Sequence, residues 1–154
     1  MLVQILPRKG AFVRQYSTAE LVQLYEIRLR LESLGAREAA ENATASDKTA
    51  IRKLLATFEK HLDAGQEGAL RMADYELHTK INDTSRNPFL ISFLSVFSIV
   101  VLANTRGFLK DPHISLNEHR ELVDAIDAND GPRAERAMYS HIATAMDNLK
   151  QSNP

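Results

Sequence analysis

The 154-residue sequence predicts an all-α protein, an antiparallel bundle of six helices preceded by a short β-hairpin. Three observations carry this reading. Glycine and proline number only 6 and 5, and they fall mostly between stretches of helical periodicity. Ala, Leu and Glu, which favour helix, fill those stretches. Two capping boxes, Ser17-Thr18-Ala19-Glu20 and Ser115-Leu116-Asn117-Glu118, set a hydroxyl three residues before a Glu, the signature of a helix start.

In chain order, Val3, Ile5, Ala11 and Val13 flank Pro7-Arg8-Lys9-Gly10 and predict two strands around a turn. A lone hairpin is marginal in water, so residues 1–15 read as part of something larger or as an arm packed on a neighbour. The first helix runs from the Ser17 box to about Asn42, with Gly35 as a weak point. Ser46 is expected to cap a second helix that Gly65 stops after Ala64. A third spans Glu67 to Asp83. A fourth starts near Asn87, with Pro88 in its first position, and ends near Arg106-Gly107. A loop, Phe108 to Ile114, leads to the Ser115 box and a fifth helix to about Ala128. The turn Asn129-Asp130-Gly131-Pro132, with Pro132 expected in the first position of the next helix, precedes a sixth, which continues to about Lys150. Short connections between helices favour antiparallel neighbours.

The composition narrows the function. A net charge of -1 gives no global field for nucleic acid or an anionic membrane. With no cysteine, any metal must be held by imidazole and carboxylate. Pro88 to Ala103 is apolar, but its 16 residues fall short of the roughly 20 of a spanning helix. It is expected to be a central helix buried on most sides, with Ser92, Ser95 and Ser98 as a polar seam. No secretory leader opens the sequence, so a cytoplasmic location is expected.

Polar residues on apolar stripes are the informative feature. The third helix's stripe is Leu70, Asp74, Leu77 and Ile81, with His78 one turn after Asp74. The fifth helix's stripe is Leu116, His119, Leu122, Val123 and Ile126; the sixth's is Met138, His141, Ile142, Ala145 and Leu149. Burying such groups is costly unless they are paired or hold a metal. Four of them on three facing helices match the way bundle cores build metal sites. Zinc, nickel, iron or manganese suits this donor set; four ligands complete a tetrahedron, whereas an octahedral ion keeps two positions open. Each group alone also reads as an ordinary hydrogen-bonded core residue, and Asp74 with His78 as a simple pair. His61 and His113 fall off this pattern and read as solvated. On the first helix the stripe Leu21, Leu24, Arg28, Leu31 and Gly35 turns Arg28 inward. Either Glu26, Glu32 or another carboxylate partners it, or its guanidinium receives an anionic ligand.

The residues also resemble a family. Tyr25-Glu26-Ile27-Arg28-Leu29-Arg30-Leu31-Glu32, Asp74-Tyr75-Glu76-Leu77-His78 and Ser85-Arg86-Asn87-Pro88-Phe89-Leu90 are similar to the FCD effector domain, the ligand-binding half of FadR-subfamily GntR transcription regulators. Glu118-His119-Arg120 through Ala125-Ile126, then Met138-Tyr139-Ser140-His141-Ile142, extend the likeness over residues 18–148. The resemblance implies a bundle of six to seven helices, usually dimeric, with a divalent metal, zinc or nickel, on Asp74, His78, His119 and His141. It implies that Arg28 meets a small carboxylate effector. Asn87 matches a recurrent Asn that either contacts effector or caps the apolar helix. Ile5 to Val13 resembles the wing of a winged helix-turn-helix domain, so residues 1–15 are expected to be its remnant and 16–154 the effector-binding domain. DNA contact is expected only through that domain, most of which is expected to be missing through truncation or a late start. The rival reading is a metal-dependent hydrolase or lyase, against which no spare core-facing carboxylate or histidine is expected as general base. A structural metal or hydrogen-bond cluster is the third.

Overall fold

The computed structural model describes residues 3–8, 10–104 and 109–151. Strands β1 (Val3–Leu6) and β2 (Gly10–Val13) pair antiparallel, Val3 opposite Val13 and Leu6 opposite Gly10. Six helices follow: α1 (Thr18–Asn42), α2 (Ala45–Asp63), α3 (Glu67–Thr84), α4 (Pro88–Asn104), α5 (Pro112–Asp127) and α6 (Gly131–Gln151). The all-α bundle expected from the sequence is therefore the observed fold.

Helix starts differ from expectation where two signals compete. Thr44, not Ser46, caps α2, because only Thr44 has an acidic residue three positions on. Its hydroxyl accepts from Asp47 N at 3.2 Å while the Asp47 carboxylate accepts from Thr44 N at 3.1 Å. The fifth helix begins at Pro112, three residues before the Ser115 box, so Pro112 to Ile114 are helical rather than loop. Asp111 caps it by accepting from His113 N at 2.9 Å, and Pro112 supplies a first position whose φ is already helical. His113 is exposed there, and His61 is half-buried against Gln66. The expected end of the fourth helix near Arg106-Gly107, like Phe108, lies outside the described residues. The turn before α6 places Gly131, not Pro132, in its first position.

The longest packing contact runs between α1 and α6, with α2 on α3 and α5 on α6. The larger of two buried clusters includes Ala36, Ala39, Leu77, Ile81, Leu122, Ile126, Met138 and Ile142, and a smaller one joins Phe58, Leu70, Ala73 and Leu116. Gly35 is a point of close approach rather than a break. A Cβ there would stand 2.8 Å from Asn82 Oδ1 on α3 and 3.1 Å from Leu90 Cδ2 on α4.

The fourth helix corrects the sequence reading. It is not buried on most sides: only Leu90, Leu94 and Val100 are buried, while Phe89, Phe93, Val96 and Ile99 stay 76%, 58%, 39% and 48% exposed. Its apolarity was read as burial because a core and an uncovered apolar face have the same composition. No helix among the described residues is long and apolar enough to cross a membrane.

Candidate metal centre

The bundle brings Asp74, His78, His119 and His141 together. Each offers one ligand atom, and these atoms all lie within 4.8 Å of one another. Asp74 and His78, four residues apart on α3, point the same way. His119 comes from the middle of α5 and His141 from the middle of α6. Their stripes are buried as expected, because both helices rest on the core along the same face. His78 Nε2 stands 3.2 Å from His141 Nε2, and His119 Nε2 stands 3.5 Å from Asp74 Oδ1. A cation held about 2.1 Å from each donor separates neighbouring donors by roughly 3 to 4 Å.

His119 provides the test of fit. Its side chain is fully buried, and neither ring nitrogen makes a hydrogen bond to the described residues. Orphaned buried nitrogens are rare and costly. A cation between Nε2 and Asp74 gives one of them a partner. The donor set, three imidazoles and a carboxylate without thiolate, suits a divalent transition metal. The residues present therefore fit such an ion.

The other two imidazoles are held from behind. His78 Nδ1 lies 2.6 Å from Glu32 Oε2, and His141 Nδ1 lies 2.9 Å from Glu118 Oε2. Carboxylates in this position fix the tautomer and leave Nε2 free to ligate. Lys110, just before α5, donates to the His141 carbonyl at 2.8 Å, pairs with Glu118 and stands 3.1 Å from His141 Nδ1, so only at His78 does a carboxylate act alone. Arg28 donates from Nε to Glu32 Oε1 at 2.6 Å, and its guanidinium lies 4.7 Å from the Tyr25 ring centre.

Protonation follows this geometry. Burial would raise the Glu32 carboxyl, but Arg28 and then His78 pull it down to about 2. Burial lowers His78, yet the Glu32 charge more than offsets that and leaves it raised. Burial, then the neighbouring charged groups, hold His119 and His141 well below the usual imidazole range. Burial raises the Asp74 carboxyl, although about a third of the side chain (32%) is open to the adjoining cavity.

A stability prediction for the metal-free protein follows. His119 and His141 stay neutral when folded but take protons when unfolded below about pH 6.5, so their contribution is lost as pH falls past that value. His78 and Asp74, both raised, contribute in the opposite sense, but the strong shifts are those of His119 and His141. Melts of chelator-treated protein are expected to show the midpoint falling from about pH 7.5 to about pH 5. A flat or rising midpoint contradicts the buried, neutral imidazoles.

Beside the cluster lies a cavity of about 100 Å³ whose lining includes Asp74, His78, His141, Arg28, Arg71 and Lys110. Arg28 is thus where the sequence placed it, with the partner, Glu32, that was one of its two readings. Asn87 is not brought to the site. Its Oδ1 accepts from Leu90 N at 3.2 Å, capping α4, and its amide donates to Glu38. Sequence reading missed Glu32, Lys110 and Glu118 as site residues. Glu32 also corrects the expectation of no spare carboxylate on a core face, since it is 0% exposed. Both its oxygens are engaged, so it is no free base.

Three imidazoles and one carboxylate thus stand beside a cation-lined cavity in an all-helical bundle, and comparison with known proteins shows the family of the bundle. The FCD domain profile matches residues 23–144, and the chain belongs to that family. It is 31% identical over 140 residues to the galactonate operon transcriptional repressor of Escherichia coli K12, covering 88% of this chain and 60% of that protein. It is 29% identical over 138 residues to the HTH-type transcriptional regulator LutR of Bacillus subtilis, covering 84% and 62%. The chain therefore spans about three-fifths of the length of these relatives. Among solved structures, E. coli McbR/YncC shares the fold with a TM-score of 0.84 at 17% identity, covering 98% of this chain and 78% of that one. A GntR protein of Streptococcus agalactiae does so with 0.74 at 23%, covering 95% and 74%.

Proposed function

We propose that this chain is the ligand-sensing domain of a GntR-type transcription regulator of the FadR subfamily. In this reading Asp74, His78, His119 and His141 hold one divalent metal ion, zinc or nickel, and the neighbouring cavity takes a small organic or sugar acid. The observation that carries it is the convergence of four donors from three helices beside a cavity lined by Arg28. A bound ion supplies a Lewis-acidic position for a carboxylate oxygen. The chain's own residues do the rest. The planar fork of Arg28 matches a carboxylate in bidentate fashion. Arg71 and Lys110 add positive charge, and Tyr25, Tyr75 and Ser115 offer hydroxyls suited to a hydroxylated acid. At about 100 Å³ the cavity suits a small metabolite rather than a peptide. The name of the galactonate relative supports a sugar acid, and the regulator names of the relatives support a sensor over a hydrolase or lyase.

Residues 1–15 are read as the end of a winged helix-turn-helix domain and 16–154 as the effector-binding domain. Contact with DNA then belongs to that winged domain, and a cytoplasmic location follows from the role. Because α1 follows the hairpin directly and carries Arg28, an acid that shifts α1 would shift the hairpin with it. Such a switch works only through differential affinity for two states. Calorimetry with zinc-loaded protein and a panel of small hydroxy and sugar acids tests the reading. Binding that needs zinc supports it. An absence of binding for every acid, or turnover of one, contradicts it.

The same reading includes a homodimer, which the exposed stripe of α4 supports. Phe89, Phe93, Val96 and Ile99 recur at helical spacing on one side. Ser92 and Ser95 beside them turn their hydroxyls back to the Pro88 and Ser92 carbonyls, so the face can be covered without stranding donors. Phe93→Asp is expected to convert a dimer to monomer in light scattering while helix content stays unchanged. A monomeric parent protein, or a dimeric variant, contradicts that assignment.

A further inference from the structure

Glu32 is the most buried charged side chain of the described residues, at 0% exposure, and it lies in the middle of α1 rather than on a metal-bearing helix. Its two oxygens do different things. Oε1 accepts from Arg28 Nε at 2.6 Å, and Oε2 faces His78 Nδ1 at 2.6 Å. One carboxylate therefore joins the cavity's arginine to an imidazole of the cluster across two helices. A buried ion pair often adds little to stability compared with apolar packing, so stability alone is a weak reason to keep a charge here.

We infer that Glu32 is a positioning residue that forces His78 into the Nδ1–H tautomer, turning Nε2 toward the metal, and that it ties this choice to Arg28. The inference rests on the metal reading above and adds to it a residue that does not touch the ion.

The logic is one of donors and acceptors. Arg28 has only donors to offer. Its Nε–H requires an acceptor at Oε1, and a carboxylate still has a second acceptor for His78. His78 Nδ1 must then carry the proton, and Nε2 is left with its lone pair, 3.2 Å from His141 Nε2. An amide at position 32 accepts with one atom and donates with the other. With its oxygen held by the permanently charged Arg28, the amide would present N–H to His78 Nδ1. The ring would then carry its proton on Nε2, the atom that must ligate. Glu32→Gln thus keeps size and shape but reverses the tautomer that the site needs. Glu118 stands behind His141, but there Lys110 Nζ also lies 3.1 Å from Nδ1, and His119 has no such carboxylate among the described residues. Of the three imidazoles, His78 is thus the one whose tautomer a carboxylate alone sets.

The test is zinc affinity, measured against a chromophoric chelator, for the unsubstituted protein, Glu32→Gln and the exposed-site control Glu26→Gln. Loss of a carboxylate behind a metal-bound imidazole costs about 10- to 100-fold in affinity. That range is expected for Glu32→Gln, with Glu26→Gln unchanged. Equal affinity for Glu32→Gln and the parent overturns the inference while leaving the metal reading intact. No zinc binding by the parent defeats the metal reading itself, and the inference with it. A folded Glu32→Gln protein is confirmed by circular dichroism. If that variant does not fold, nitrogen-15 spectra of the zinc-loaded parent decide: a proton on His78 Nδ1 with zinc on Nε2 is expected, and the reverse tautomer overturns the assignment.

Discussion

His119→Ala is expected to lower metal affinity by more than the roughly 10- to 100-fold that loss of a supporting carboxylate costs, while the protein remains helical. Of the three clustered imidazoles, His119 is the one whose ring nitrogens make no hydrogen bond to the described residues. It gains most from a cation, and no other group takes its place when it is removed. Its ring packs edge-on against Phe58, with centroids 5.0 Å apart, and within 4.6 Å of the His141 ring centroid. Truncation therefore also opens a cavity, whose cost for an aromatic-sized side chain is about 3 to 5 kcal/mol. Metal content by mass spectrometry separates the two effects, since a merely loosened core would still carry the ion. Unchanged metal content in a folded variant would show that His119 is not a ligand.

Arg28→Lys is expected to weaken binding of the carboxylate effector by about 10- to 100-fold with metal content unchanged. Lysine keeps a positive charge beside Glu32 but loses the planar fork that receives two carboxylate oxygens at once. A charge-assisted hydrogen bond contributes about 1.5–3 kcal/mol, which sets that range. Arg28→Ala is the cruder change, because it strands the buried Glu32 charge at a cost of about 3–5 kcal/mol. Calorimetry on zinc-loaded Arg28→Lys reads the effect directly. Unaltered acid affinity would remove Arg28 from the site.

The parts of this site that could be read from sequence are those where a helical period carries the information. His119 and His141 stand among Leu, Val, Ile and Met at the right spacing, and those stripes are the buried ones. Asp74 and His78 share a face by spacing alone. Glu32 is hidden by the chain's own pattern. The stripe Leu21, Leu24, Arg28 and Leu31 was preferred because leucines looked like core. The buried line instead runs Leu21, Tyr25, Arg28 and Glu32, with Leu24 and Leu31 half-buried at its edge. A rotation of one residue exchanged an apolar side chain for the buried carboxylate. Lys110 lies in a non-helical link with no period to mark it. The start of α5 was written in Asp111-Pro112, but the Ser115 box three residues later gave a competing signal of the same kind. For α4, hydropathy reports what a side chain avoids and not what covers it.

In the proposed site four side chains from α3, α5 and α6 share one cation. X-ray absorption at the metal edge of the loaded protein measures this most directly. It should show about three imidazole nitrogens and carboxylate oxygen in the first shell, at about 2.0–2.2 Å for zinc. A shell of water oxygens alone, or one with a single imidazole, would contradict it.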